Sequence, residues 1–475
     1  MKRSIIARNL HTFTPVATWT MSLRLVRLRL REWLEFDSSV LKRVLGLSGL
    51  VLGFLCYKTK RADKAVVIWS KIHASAFSPF ASNIVTNLIR SAAAPNRGEK
   101  QAYTLHRLFR EHVESFSPTP QTQKFFDDPR KMLGPMAIVL KPRAQREKGV
   151  ISILYSYALP LFAKLFDIRR IAEDYFLVLE PSWSGYCNLD ILCYSQLDRP
   201  VFVQAYEPRD EEFIRSLGSN LMAVPVSNNW WVDHRIFKPL PNVTKDVDVI
   251  MVAGWANFKR HYSFFRGLRE LRSRGVRLRV VLIGYPMGKT RETICKEAQC
   301  YGISDQLEIY ESIGTEEVNY HFNRAKVNVI WSRREGANRA IIEGLFAGIP
   351  CILRKGFNYG YHYPYINDST GCYSSEKDLS EKLLWMIDNY QNFSPREWVA
   401  KHMSCEKATI MLSESIKIAA VKMGERWTEN LVVKVNGLHG MQYWNTDDSQ
   451  KYNADYNFLT SCIRASGNFS LTQTS

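Results

Sequence analysis

The residues best suited to chemistry lie in one stretch, KVNVIWSRREGANRAIIEGLFAGIP, from Lys326 to Pro350, where Glu335 and Glu343 stand eight positions apart. The pattern predicts a strand, Val327–Ile330, a polar loop, Ser332–Asn338, and a helix from about Arg339 to Phe346. A helix start presents unbonded backbone amides and the positive end of its dipole. The amides of Gly336, Ala337 and Asn338, with Arg333 nearby in sequence, therefore suit a diphosphate, and Gly336 permits close approach to its backbone. Glu343, inside the helix, can accept hydrogen bonds from ribose hydroxyls. A second stretch, VIMVAGWANFKRHYSFFRGLREL, passes from a strand through Gly254 to a basic pair, Lys259 and Arg260, at another helix start. Taken singly, a basic pair at a helix start or two spaced glutamates also fit a solvated surface.

These side chains need elements to position them. From about Met136 short apolar runs alternate with amphipathic helices, the pattern of parallel α/β layers. The first half offers strands at Val150–Leu154, Tyr175–Leu179, Val201–Val203 and Leu221–Val224. The second restarts at Val247–Val252 after a linker, Asn242–Asp246, and continues with Leu278–Ile283, Leu307–Ile309, Val327–Ile330 and Pro350–Leu353. The expected fold is α/β, two doubly wound, Rossmann-like domains facing a cleft, since each sheet binds ligands at the carboxyl ends of its strands. The expected units are a basic, mainly helical extension (1–130), a first α/β domain (131–241), a second (242–390) and C-terminal helices with a polar tail (391–475).

The EGANRAIIE segment resembles the E-x7-E motif of the GT-B-fold glycosyltransferases, family 4 in particular, with Glu335 and Glu343 in the two acidic places. The stretch after Val247–Val252 is similar to that family's first loop of the nucleotide-binding domain. The resemblance implies that Glu335 lies near the donor sugar, that Glu343 holds the ribose, and that Lys259 neutralises the departing diphosphate. The family's second cation is an Arg beside the Gly; here Trp255 and Ala256 follow Gly254, so Arg260 or Arg333 is the expected substitute. The architecture of the resemblance covers about residues 148–390, and its motifs 245–375.

On the acceptor side two aromatic clusters follow strands: Trp183 and Tyr186 in EPSWSGYC, and Trp230, Trp231 and His234 in SNNWWVDHRIF. Their rings suit either sugar stacking or core packing. His234 reads as a structural residue more readily than as a base. Asp246-Val-Asp248 resembles a metal motif in letters alone, because it sits at a strand entry away from the cleft. No metal or other cofactor is expected, because cations and helix amides can stabilise the leaving group.

The formal charge of +18 is concentrated: residues 1–100 carry 17 basic and 5 acidic side chains, a net +12, leaving +6 for the rest. This argues for a local anionic partner, not a nucleic-acid groove through the body. Leu23, Val26, Leu30 and Trp33 recur at helical spacing with Arg24, Arg27, Arg31 and Glu35 on another face, a basic amphipathic helix that would either lie in a lipid headgroup layer or pack on the core. The uncharged run Val44–Tyr57, 14 residues, is short for a span. An anionic membrane surface meeting residues 21–60 is the expected partner. Nine cysteines without a CxxC pair suggest a reduced, cytosolic chain, and the basic amphipathic helix would set it peripherally on the cytosolic membrane face.

The expected activity is transfer of a sugar, with retention and without metal, from a nucleotide-diphosphate sugar of the UDP or GDP type to a glycan or lipid-linked acceptor in envelope or exopolysaccharide synthesis. The alternatives are a non-catalytic membrane-bound scaffold of the same fold, or a relative such as a sugar-nucleotide epimerase.

Overall fold

The computed structural model describes residues 15–34, 38–59, 61–75, 77–93 and 99–464; Glu35 of the expected basic helix lies outside them. Five helices open the chain: α1 (Pro15–Glu32), α2 (Ser39–Lys58), α3 (Ala62–Ser75), α4 (Pro79–Ala93) and α5 (Glu99–Glu114). Helix α1 buries Met21 and Leu25 in the core of the second α/β domain. The inward residues of α3 to α5, among them Trp69, Val85 and Phe109, join the core of the first. At 20 residues α2 exceeds the uncharged run read from sequence, since Ser38 caps its start and it continues to Lys58. Among the described residues it is the one helix long and apolar enough to cross a membrane by length and composition.

The first sheet has five strands in chain order: β1 (Ala137–Lys141), β2 (Gly149–Leu154), β3 (Tyr175–Glu180), β4 (Val201–Gln204) and β5 (Leu221–Val224). The edge strand β1, absent from the sequence reading, runs antiparallel to β2; the others are parallel. Strands β1 to β4 are buried throughout, which is why β2 to β4 read as largely apolar runs. One face meets the N-terminal helices. The other, with Val150, Phe176 and Phe202, is covered by the returning C-terminal chain through Ala408, Leu412 and Ile416 of the helix Cys405–Lys422. Residues beyond 402 therefore complete the first domain.

The second sheet contains β6 (Val247–Val252), β7 (Val280–Gly284), β8 (Leu307–Glu311), β9 (Ala325–Ile330), β10 (Cys351–Arg354) and β11 (Gly371–Ser374), all parallel, in the order 11-10-9-6-7-8. Chain direction around the sheet reverses between β6 and β9. A crevice opens at such a switch point, beyond the carboxyl ends of the strands. The two Rossmann-like domains face each other across it, the GT-B arrangement. A hairpin, β12 (Lys434–Gly437) and β13 (Gly440–Tyr443), carries the returning chain past the first domain.

Candidate donor site and interdomain cleft

The loops that leave β6 and β9 flank the switch point, and they carry the two motifs. In the first, Lys259 sends its Nζ to both carboxylate oxygens of Glu335, at 2.5 and 2.7 Å, with both side chains largely buried. This buried pair stores a cation and an anion beside the crevice. In the second, the helix Arg339–Phe346 begins as the sequence implies: Asn338 is its N-cap and accepts from the amide of Ile341 at 3.2 Å. Glu343 is buried on that helix and pairs with Arg339 one turn earlier at 3.1 Å. Burial pushes its carboxyl above the usual range, while Arg339 pulls the other way.

The place beside Gly254 holds no cation, as the sequence already shows, and the two expected substitutes, Arg260 and Arg333, both meet Glu32. Trp255 is fully buried, donates its indole N–H to Glu311 at 2.9 Å and packs edge-on to His261, so the place beside Gly254 holds an apolar ring. Arg260 adopts a left-handed backbone, φ 59°, at the start of the helix His261–Ser273. Its side chain runs inward to Glu32 of α1, at 3.0 Å, and to Glu376. Arg333 meets the same Glu32 carboxylate at 3.4 Å, and Tyr262 donates to it as well. Burial disfavours charge on Arg260, but Tyr262, Glu32 and Glu376 outweigh it and raise its pKa. Both substitute cations thus anchor the N-terminal helix, because a buried guanidinium takes whichever carboxylate is already at hand.

The first domain grips the motif loop directly. Trp183 forms an isolated bridge with Gly336, Ser184 donates to the Glu335 carbonyl at 2.7 Å, and Asn229 donates to the Asn338 carbonyl at 3.3 Å. A Cβ on Gly336 would fall 1.6 Å from the Ser182 carbonyl oxygen, so the close approach that needs this glycine is made by the opposing domain. Gly254 is hemmed in by Tyr285 and Met287. Between the domains, Trp183, Tyr186, Glu207, Gly336, Ala337 and Tyr363 line a cavity of about 20 Å³, enough for one water. At this point the domains are in contact, and the cavity between them is too small for a sugar.

The acceptor-side candidates separate. Trp183, 40% exposed, stands at the cleft edge-on to Phe258, and Tyr186 lines the cavity while donating to the Gln204 carbonyl at 2.6 Å. Trp230 is buried against Tyr206. Trp231 lies in the core, bonded to Gln204 at 3.1 Å with Lys434 over its ring, so no sugar reaches its face. His234 packs between Phe346 and Trp444 and pairs with Glu406 at 3.0 Å, away from the cavity lining. With Cys405 and Glu406 it forms the one trio among the described residues spaced to hold a metal, at the seam between the domains rather than at Lys259. Asp246 and Asp248 are taken by Arg324 and Lys326 at the strand entries.

Sequence reasoning missed Glu207, Asn358 and Tyr363. Glu207 accepts from Tyr363 at 2.6 Å and from Asn358, a latch between the domains. Its position, just past the carboxyl end of β4, was the available signal. Burial, reinforced by Asp210, pushes its carboxyl up to about 7.

Residues 232–399 match the family model described as Glycosyl transferases group 1. Similar solved structures include sucrose-phosphate synthase from Thermosynechococcus elongatus (14% identity, 70% of this chain and 82% of that one, TM-score 0.46). Others are Anabaena Alr3699/HepE in complex with UDP (12%, 57% and 78%, 0.42) and a glycosyltransferase from Rickettsia africae (13%, 54% and 79%, 0.39). No curated protein sequence matches the chain significantly.

Proposed function

We propose that the chain is a retaining, family 4-type glycosyltransferase that binds a nucleotide-diphosphate sugar at the switch point of the second sheet and passes the sugar to an acceptor hydroxyl. The observation that carries this reading is the Lys259–Glu335 pair, held across the switch point with Glu343 one helix turn deeper and within the segment matching the family model. An arriving diphosphate takes Lys259 from Glu335. The freed carboxylate then faces the donor sugar, and Lys259 stabilises the charge that develops as the C1–O bond breaks. The departing phosphate oxygen accepts the acceptor's proton as the new glycosidic bond forms, so no side-chain base is required. The domains open to admit the donor and close over it, with the Gly336 loop as the contact. A glycan or lipid-linked acceptor suits a chain with a basic, apolar N-terminal region, and envelope glycan synthesis at the cytosolic membrane face is the setting we infer.

Calorimetric titration with UDP, GDP and ADP tests this. One nucleotide should bind, and Glu343→Ala should weaken it by about 1–3 kcal/mol, the scale of a lost charged hydrogen bond. Activity should survive excess chelator, and NMR of the product should show the donor's anomeric configuration. Trp255 in the cation's place favours a second reading, a nucleotide-binding scaffold without turnover. Binding without transfer would select it, and a folded protein that binds no nucleotide would defeat both.

A further inference from the structure

The N-terminal helices turn the wrong faces outward for a protein surrounded by water. Leu23, Val26 and Leu30 of α1 and Leu47, Val51 and Leu55 of α2 are each between 41% and 59% exposed. More than half of the exposed large apolar side chains among the described residues fall between Leu23 and Tyr57. Burial of this size is not left open in a water-soluble surface without an occupant.

The opposite faces of both helices are committed. In α1, Met21 and Leu25 enter the second domain's core and Glu32 meets Arg260 and Arg333. In α2, Gly46, Gly49 and Gly53 lie against Ser78, Ile72 and Trp69, so closely that a Cβ at Gly53 would fall 2.1 Å from the Trp69 ring nitrogen. Trp69 and Ile72 themselves belong to the first domain's core. Helix α2 is therefore held lengthwise along the protein at three successive turns and cannot turn end-on into a bilayer.

We propose that the outward faces of α1 and α2 rest on an anionic lipid bilayer, both helices lying along it and neither crossing it. Charge selects this occupant. Arg24, Arg27, Arg43 and Lys58 are exposed around the apolar faces, and α2 contains no acidic residue. Aliphatic side chains with arginines at their margin match the boundary between acyl chains and anionic headgroups. Because α1 is tied to the second domain and α2, through α3, to the first, one surface would anchor both halves of the cleft. This binding does not depend on sugar transfer.

The test is flotation of the full chain with preformed vesicles of phosphatidylcholine, with and without phosphatidylglycerol. The protein should float with the anionic vesicles and detach as salt rises. The pairs Val26→Glu with Leu30→Glu and Leu47→Glu with Val51→Glu, both on exposed positions, should each cut partitioning about tenfold or more. Arg24→Gln and Arg27→Gln should each weaken anionic binding about fivefold. With the accessible native cysteines Cys56, Cys295, Cys300 and Cys372 first replaced by serine, an impermeant maleimide added outside the vesicles should label both Ser39→Cys and Lys58→Cys; protection of one end would show a span and overturn the proposal. Full flotation by the glutamate variants, or none by the wild type, would also overturn it. So would a dimer in solution that the glutamate pairs dissolve without any vesicle binding, which would assign the faces to a second copy.

Discussion

Glu207 is a carboxyl held where water hardly reaches it, between Asp210 on its own domain and Tyr363 and Asn358 on the other. Burial and Asp210 push its pKa up to about 7 with the domains in contact, and exposure on opening would return it toward the ordinary 4.5. The closed form therefore binds its proton more tightly, so closure is favoured fully below the open-state value and that advantage is lost as pH rises through 7. Small-angle scattering should give a larger radius at about pH 8 than at about pH 5.5, and Glu207→Gln should flatten the difference. An unchanged pH response in the variant would remove Glu207 as its source. The same scale shows what adjacent letters leave open: they do not tell which way a side chain turns, and Arg260, with its left-handed backbone, meets Glu32 of α1.

Among elements, the loop Ser332–Asn338 does two jobs, holding Glu335 against Lys259 and closing against Ser182 to Ser184. Gly336 has no left-handed backbone, and the nearest atoms that a Cβ there would meet belong to Ser182 and Trp183 of the opposing domain. Gly336→Ala should leave thermal stability near wild type. It should still bind nucleotide in the open state and lose about 10²-fold in kcat, the scale of a misplacement near 1 Å. A variant of unchanged kcat would show that closure through this contact is not part of turnover.

Across the whole molecule, a buried ion pair fastens the returning chain into the first domain. Lys434 from the β12–β13 hairpin reaches Glu180 at the end of β3, at 2.8 Å and fully buried, where Asn228 and Asn436 also bond the carboxylate. Burial lowers the Lys434 pKa to about 8 even with Glu180 beside it. Removing one partner of such a pair strands the other, so Lys434→Met should cost about 3–5 kcal/mol in denaturant unfolding, and adding Glu180→Gln should restore part of it. A cost under about 1 kcal/mol would mean the tail is held by its apolar packing alone.

The strands and the motif helix were legible because their signals are local. Buried parallel strands read as apolar runs, and Asn338 before an apolar helical pattern marks the start of Arg339–Phe346. Sequence alone also placed Lys259 and Glu335 on loops after their strands, since a motif between a strand and a helix has one topological position. It did not show β1, an edge strand defined by its partner, nor that residues beyond 402 finish the first domain. The amphipathic pattern of α1 was plain, but Met21 and Leu25 face inward while Leu23 and Val26 face out, and only tertiary packing chooses which apolar stripe is covered. The same holds at the site. Burial of Trp255, diversion of Arg260 and Arg333 to Glu32, and the Glu207 latch each depend on a residue far away in the chain, and spacing along the sequence carries no record of such a meeting.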